Sequence, residues 1–487
     1  MRLSRPLHIP CTGLFLALAL FSAVATPAGK MPVTADSKEA MAQFIEGRTL
    51  FDNLRVTDAI PYFQGAVEKE PSFALAHLYL AQSAPTAKVF FAELGKADEN
   101  AAHASKGEQL YIRAFKAASY GDPAGALKLY RELVEAFPDD ERAQTLLGTS
   151  YFAQQDYQQA VEHLKKATDL APDFAPPYNQ LGYTYRALVK YDDAEKTFKK
   201  YTELLPSDPN PYDSYAELLL KMGRFDESIA QYEKALSINP QFANSFVGIA
   251  TCLMYQNKHD EALAELAKAY DRARNDGERR FALFSRGVVY VDQGKPDLAL
   301  GEIEKEHAIA QKINDAASMS GDIALMANIL LDEGKTDEAL EKFNTSASLI
   351  EKSSLAKEVK EFNKSIHHYN VAKVLLAKGD FKGAASETDT YRKLAEARKN
   401  KNQIRFSHEL AGLLAFHQKD FDKAVIELQQ ANQQDPSVLY HMALAYQASG
   451  KTNEARKYAT LAAKDNVLPF VNYAFVRMKA EKLLQAL

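Results

Sequence analysis

Residues 172–206 read PDFAPPYNQLGYTYRALVKYDDAEKTFKKYTELLP, and the prolines at the two ends of this stretch set the interval on which the fold depends. Pro172 and Pro206 are 34 residues apart, and the same interval separates Pro138 from Pro172 and Pro206 from Pro240. Each proline follows a stretch with helical patterning, as in ATDLAP and YTELLP. Four prolines at one spacing indicate an internal structural repeat.

Aromatic, leucine and small residues recur at fixed positions inside this repeat. In two successive repeats these positions hold Leu147, Gly148 and Tyr151, then Tyr178, Leu181, Gly182 and Tyr185. A second small residue follows a turn such as KMGR or DQGK, and it recurs as Ala59, Ala126, Ala160, Ala194, Ser228, Ala262, Ala299, Ala339, Ala384, Ala424 and Ala455. Closely packed helices need small side chains where their backbones approach each other. The pattern therefore predicts pairs of tightly packed helices.

This pattern resembles the tetratricopeptide repeat, a unit of about 34 residues that forms two antiparallel helices. The chain has no tryptophan, so Tyr178, Tyr212 and Phe246 fill the position where that family usually has an aromatic residue. Eleven hairpins can be followed through the second small residue, and a twelfth, which turns at Pro85, fits between the first two. The resemblance implies an all-α fold, an α-solenoid of about twelve hairpins forming a right-handed superhelix, with the first helix of each hairpin on the inner wall.

The sequence divides into a leader, two groups of repeats and a C-terminal segment. Residues 1–25 are predicted to be a signal peptide and residues 26–39 a polar lead. Residues 40–275 hold mostly 34-residue repeats, residues 276–463 hold longer ones, and residues 464–487 form a capping helix. No part of the chain remains for a separate catalytic domain. Because each solenoid repeat contacts only its neighbours, the fold is expected to be elongated.

The N-terminus has the order of a secretory signal peptide. Arg2 and Arg5 precede the apolar run LFLALALFSAVA at 14–25, which ends in the small-x-small sequence AVA. This order predicts cleavage after Ala25, and the apolar run is shorter than the roughly 20 residues that span a bilayer. We therefore expect a periplasmic or secreted protein that begins at Thr26 and has no transmembrane segment.

Composition and motifs argue against catalysis and against nucleic-acid binding. Lys and Arg number 59 against 64 Asp and Glu, a formal charge of −5, which provides no basic excess for phosphate contacts. The two cysteines exclude a disulfide framework, and Cys252 lies among apolar neighbours, as a core residue does. The sequence holds no phosphate-binding loop and no zinc-protease motif, and His368 and His408 fall where an aromatic side chain packs. We predict no enzyme activity, no cofactor and no metal site.

The architecture predicts an exported scaffold that mediates protein–protein or protein–peptide interaction through its concave groove. An accessory role in the export or assembly of cell-envelope polysaccharide is the alternative, because the same groove could guide a glycan. A cryptic enzyme is a third hypothesis, but it needs a clustered acid, base or nucleophile that the repeat pattern does not show. The identity of the partner and the oligomeric state stay open at this point.

The resemblance also indicates which side chains face the groove, because certain positions of the first helix point inward in this family. In the central hairpins these positions form a mixed polar wall of Arg142, Asn179, Tyr183, Arg186, Asp213, Glu217, Lys221 and Asn244. Toward the C-terminus the same positions become apolar, and they include Phe284, Leu376, Leu413, Phe416 and Tyr440. The clamp by which some relatives hold a carboxylate tail is not expected, since Thr145, Asp213 and Val247 occupy its positions. The apolar stripe either packs against itself or binds apolar side chains of a partner.

Overall fold

The computed structural model describes residues 29–487, which form 25 α-helices, a short 3-10 turn at Ala101–His103 and no strand. The odd-numbered helices are α1 (Lys38–Asp52), α3 (Ala74–Gln82), α5 (Lys106–Ser119), α7 (Glu141–Ala153), α9 (Pro176–Ala187), α11 (Pro209–Lys221), α13 (Ala243–Tyr255), α15 (Asp276–Asp292), α17 (Ala316–Asp332), α19 (Lys357–Lys378), α21 (Lys401–His417), α23 (Pro436–Ala448) and α25 (Val471–Ala486). The even-numbered helices are α2 (Val56–Lys69), α4 (Ala87–Asn100), α6 (Pro123–Ala136), α8 (Tyr157–Leu170), α10 (Tyr191–Leu204), α12 (Phe225–Ile238), α14 (His259–Asp271), α16 (Pro296–Lys312), α18 (Thr336–Lys352), α20 (Phe381–Ala397), α22 (Phe421–Gln430) and α24 (Thr452–Ala463).

The first 24 helices form twelve hairpins, in each of which an odd-numbered helix packs against the even-numbered helix that follows it. The all-α solenoid of helical hairpins expected from the sequence is thereby confirmed. The predicted signal peptide, residues 1–25, lies outside the described residues. None of the helices within residues 29–487 combines the length and apolar character needed to cross a bilayer.

Most hairpins turn through one residue in the left-handed backbone region. Gly223 has a φ of +75° and Gly379 a φ of +78° at this point, and glycine adopts such angles without steric cost. In the hairpin of α9 and α10 the same place is taken by Val189, with a φ of 60°. A β-branched residue rarely adopts this conformation, so the turn at Val189 carries backbone strain.

The small residues of the repeat lie where the two helices of a hairpin approach most closely. A Cβ atom added to Gly182 of α9 would lie 2.6 Å from the ring of Phe198 in α10. Ala194, at the start of α10, is fully buried. Larger side chains at these positions would push the helices apart, which is the physical reason for the recurring small residues.

The odd-numbered helices form the concave surface of the solenoid. Contacts between helices two apart along the chain are made by odd-numbered helices, for example α9 with α11 and α19 with α21. Because the elements of a curved stack approach each other most closely on its inner side, these helices line the interior. The even-numbered helices form the outer layer.

Successive turns of the superhelix touch along a seam, so hairpins do not contact their neighbours alone. At this seam Arg274, just before α15, forms an ion pair of 2.9 Å with Asp58 of α2. The backbone N–H of Lys88 in α4 donates to Asp315, just before α17, at 3.0 Å. Further hydrogen bonds across the seam join Asn400 with Gly121, Asn402 with Ala153, Arg405 with Gln154, and Gln155 with Asn432. The expectation that hairpins contact only their neighbours is wrong here. The curvature brings into contact hairpins that are about seven positions apart along the chain.

The C-terminal helix α25 packs on the last hairpin and also reaches across the concave side. It contacts α23 and α24 of the last hairpin and α15 of the eighth hairpin. Its Tyr473 packs edge-to-face against Tyr255 of α13, with 5.3 Å between the ring centroids. α25 therefore bridges two parts of the inner wall that are far apart along the chain.

Candidate binding surface

Three of the predicted groove residues form one connected polar group on the central inner wall. The hydroxyl of Tyr183 in α9 donates to Glu217 Oε1 in α11 at 2.9 Å. The guanidinium of Arg186 donates to Glu217 Oε2 at 3.2 Å and lies over the Tyr183 ring, 4.6 Å from its centroid. Burial raises the pKa of Tyr183 well above its usual range. These contacts join α9 to α11, and they leave the faces of Arg186 and Glu217 partly exposed.

Two further predicted residues of α11 are held by other parts of the chain. Asp213 is buried and accepts a hydrogen bond of 2.7 Å from the hydroxyl of Ser245 in α13. Burial raises the pKa of Asp213, and the nearby carboxylate of Glu217 raises it further. Lys221 forms an ion pair of 2.6 Å with Asp465, in the segment that leads into α25. The C-terminal segment therefore closes one side of the central wall.

The remaining central residues differ in how far they are engaged. Arg142 of α7 forms an ion pair of 2.5 Å with Asp52 of α1 and lies over the ring of Phe174 at 4.6 Å. Asn179 Oδ1 is buried and has no hydrogen-bond partner among the described residues. Asn244 is exposed at the start of α13. On this wall, Asn179 and Asn244 thus carry amide groups whose hydrogen-bonding capacity is not filled by other described residues.

The apolar C-terminal stripe is covered in part by α25. Phe284 of α15 and Phe475 of α25 pack against the same buried cluster, which contains Met326 and Ile329 of α17. Phe416 of α21 packs instead against Phe421 of α22, with 5.7 Å between the ring centroids. A helix from outside the repeats therefore lies on part of the stripe.

A buried ion pair anchors α25 to the wall. Arg477 donates from Nε and Nη2 to the two carboxylate oxygens of Asp292 at the end of α15, both at 2.6 Å. The side chains of Arg477 and Asp292 are 3% and 0% exposed. Asn257 accepts a further hydrogen bond from Arg477 at 3.1 Å, and His259 lies 2.9 Å from Asp292. Sequence reasoning missed this anchor, although a single arginine within the apolar stretch VNYAFVRM was a signal for it.

A cavity of about 300 Å³, here called the C-terminal chamber, lies between α25 and the inner wall of the last four hairpins. Its walls come from α17, α19, α21, α23 and α25, and three of the predicted apolar groove residues, Leu376, Leu413 and Tyr440, face it. Polar groups enter the chamber as well, among them Lys373 of α19 and Glu409 of α21. The sequence pattern identified the apolar part of this lining but not the charged part.

Residues that could together hold a metal ion do not gather in the described part of the chain. No group of three or more His, Cys, Asp or Glu residues within residues 29–487 is arranged to hold a metal ion. His368 and His408 each contact a glutamate of the following helix, Glu387 at 2.6 Å and Glu427 at 2.7 Å. Cys252 is buried, and its burial raises the pKa of the thiol to about 12. Such a thiol is a packing group and a poor nucleophile.

Comparison with protein families finds tetratricopeptide repeats in four segments. Models described as tetratricopeptide or TPR repeats match residues 46–88, 148–189, 175–208 and 219–285. These segments lie within hairpins 1–2, hairpins 4–5, hairpin 5 and hairpins 6–8 of the solenoid. No curated protein sequence matches the chain.

Several solved structures are similar to parts or most of the chain. MamA is 25% identical over 34% of this chain and 94% of its own, with a TM-score of 0.29. YrrB, described as a TPR protein with an unusual peptide-binding site, is 19% identical over 37% of this chain and 91% of its own, with a TM-score of 0.26. Yeast Tom70 is 14% identical over 92% of this chain and 95% of its own, with a TM-score of 0.40.

Proposed function

We propose that this stack of tetratricopeptide-like hairpins is an interaction scaffold that binds a segment of a partner protein on its concave surface. The observation that carries the proposal is that the concave surface already holds a polypeptide segment, the chain's own helix α25. That helix is bound by an aromatic contact through Tyr473 and by the buried ion pair of Arg477. Aromatic and arginine anchors of this kind are typical of binding hot spots in protein interfaces.

The partner's place is the central wall of α7, α9, α11 and the start of α13. The C-terminal segment contacts this wall only toward its other side, at Tyr255 near the end of α13 and at Lys221 at the end of α11. Asn179 supports this position, because its half-buried side chain lies on α9 and its Oδ1 has no hydrogen-bond partner among the described residues. A rotation of the amide toward the groove would allow this oxygen to accept a backbone N–H of a bound peptide. The partly exposed Arg186 and Glu217 lie on the next turns of the same wall. An extended or helical segment that brings a hydrogen-bond donor to Asn179 would pair this amide oxygen, which has no partner among the described residues.

We further propose that the scaffold acts after export, in the periplasm or outside the cell. The support is the order of the leader, with two arginines, an apolar run and small residues before Thr26. N-terminal sequencing of the protein recovered from the periplasm or medium is expected to begin at Thr26. Recovery of the soluble protein with residues 1–25 still attached would contradict export by this leader.

Site-specific photo-crosslinking tests the location of the binding surface. A benzophenone amino acid is placed at Asn179 or Asn244 on the central wall, and at Lys166 on the outer helix α8 as the matched control. Both wall positions are expected to capture the same partner in the native host, and the Lys166 position is expected to capture none of it. Cross-links from Lys166 alone would place the binding surface outside the concave wall, and a captured glycan in place of a protein would favour the polysaccharide alternative.

A further inference from the structure

The C-terminal chamber is lined by an amine and a carboxyl group, those of Lys373 and Glu409, that form no ion pair with each other or with another group of the described residues. Lys373 Nζ donates to Asn328 Oδ1 at 3.2 Å and lies over the Tyr369 ring. Glu409 Oε2 accepts a hydrogen bond from the hydroxyl of Tyr369 at 3.1 Å. Within residues 29–487, neither Lys373 nor Glu409 has an oppositely charged group within 4.0 Å. A charge that lines a cavity without an ionic partner is unusual, because burial of an unpaired charge is costly.

The carboxyl group of Glu409 is shielded from water inside the chamber. The residue is 5% exposed, and burial raises its pKa to about 7. The carboxyl group of Asp435 acts in the same direction, while the ammonium of Lys373 acts against it. A positively charged group placed beside Glu409 would therefore gain more from the interaction than it would at the protein surface.

The rest of the lining combines apolar side chains and amides with two histidines, His417 and His441, and with the ion pair of Lys479 and Asp332. Leu376, Leu413 and Phe475 supply apolar surface from three different helices. Asn328 and Asn472 bring side-chain amides from α17 and α25. A pocket that combines apolar walls with a few convergent polar groups has the usual composition of a small-molecule site.

We infer that the C-terminal chamber binds a small zwitterion with an apolar side chain, that is, an α-amino acid of the leucine type. Its ammonium group binds the carboxylate of Glu409, and its carboxylate group binds the ammonium of Lys373. Its side chain lies against Leu376, Leu413 and Phe475.

Both the charges and the size favour this class over its nearest alternatives. A simple cation would leave Lys373 unpaired in the chamber, and a simple anion would leave Glu409 unpaired. A cavity of about 300 Å³ is many times the roughly 10–15 Å³ that a single water molecule needs on the same measure. The chamber is therefore large enough for one amino acid.

Calorimetric titration of the full chain with three matched probes tests the inference. The probes are L-leucine, 3-methylbutylamine, which lacks the carboxylate, and 4-methylpentanoate, which lacks the ammonium. We expect saturable binding of L-leucine, and binding weaker by roughly tenfold or more for each probe that carries one charge. Equal binding of the amine and L-leucine would overturn the inference, and so would the absence of binding for L-leucine, L-methionine and L-phenylalanine.

Two variants locate the site, each with a matched control on the outer helix α20. Glu409→Gln and Lys373→Met are each expected to weaken L-leucine binding by roughly tenfold. Glu396→Gln and Lys393→Met, whose side chains are exposed on α20, are expected to leave it unchanged. Unchanged L-leucine binding in Glu409→Gln would overturn the inference. If a variant does not fold, the comparison of the three probes on the unaltered chain tests the inference instead. Partner capture at Asn179 is measured separately, so a failure here leaves the scaffold proposal untouched.

Discussion

The replacement Arg477→Met tests whether α25 is held on the concave wall by a buried ion pair. Breaking such a pair by removing one partner costs about 3–5 kcal/mol, because the other charge is left buried and unpaired. His259, 2.9 Å from the carboxylate of Asp292, remains available in the variant as a hydrogen-bond partner of that carboxylate. The lost contact of the guanidinium with the Tyr255 ring, 5.8 Å away, adds about 0.5 kcal/mol. We therefore expect a loss of about 3 kcal/mol in the local stability of α25.

Native-state hydrogen exchange of the α25 amides is the appropriate assay, because a long repeat array need not unfold in a single step. The matched control is Lys479→Met on the same helix, which removes an ion pair of 2.6 Å with Asp332 whose side chains are 47% and 30% exposed. A pair with this exposure contributes about 0–1 kcal/mol, so α25 in the control is expected to exchange almost as slowly as in the unaltered chain. If Arg477→Met accelerates exchange no more than Lys479→Met does, the anchoring role of the buried pair is refuted.

Three further outcomes follow from packing, backbone conformation and pKa. Gly182→Ala is expected to destabilise the protein by about 1–3 kcal/mol, because the new methyl group would meet the Phe198 ring. The control Gly301→Ala, whose new methyl group meets no atom within 4 Å, should stabilise the protein by up to about 1 kcal/mol. Denaturant melts in which Gly182→Ala is the more stable variant would contradict the packing. Val189→Gly is expected to raise stability by about 1 kcal/mol by relieving the turn at a φ of 60°, and a lowered melting temperature would show that the turn is not strained. Burial raises the pKa of Glu409 to about 7, so the folded state keeps a proton that the unfolded state releases, and stability falls as pH rises from about 4.5 to 7. Relative to Glu409→Gln, the unaltered chain should lose about 3 kcal/mol over that range, and parallel pH profiles of the two proteins would exclude the shift.

The hairpins could be predicted because their information is local. The 34-residue interval, the small residues such as Gly182 and the turn residues such as Gly223 each act within one hairpin or between two neighbours. Every repeat imposes the same requirements for small residues and turn residues. One divergent residue, such as Val189 in a left-handed position, therefore does not hide the pattern. The expectation that the apolar stripe lies on the first helices came from the resemblance to the tetratricopeptide repeat.

What occupies the inner wall could not be predicted in this way. Lys221 pairs with Asp465 and Arg477 with Asp292, across 244 and 185 residues of sequence. The sequence pattern treated Tyr183 and Arg186 as residues that face an open groove, yet both are already bonded to Glu217 in the next hairpin.

The sequence by itself determined the repeating unit and the all-α class. The tertiary structure alone decided that successive turns meet at a seam, that α25 covers part of the apolar stripe and that Lys373 and Glu409 share one chamber. The physical reason is that the curvature of a solenoid is the sum of small rotations between hairpins. No single repeat specifies that sum, so residues distant in sequence become neighbours only once the whole superhelix is formed.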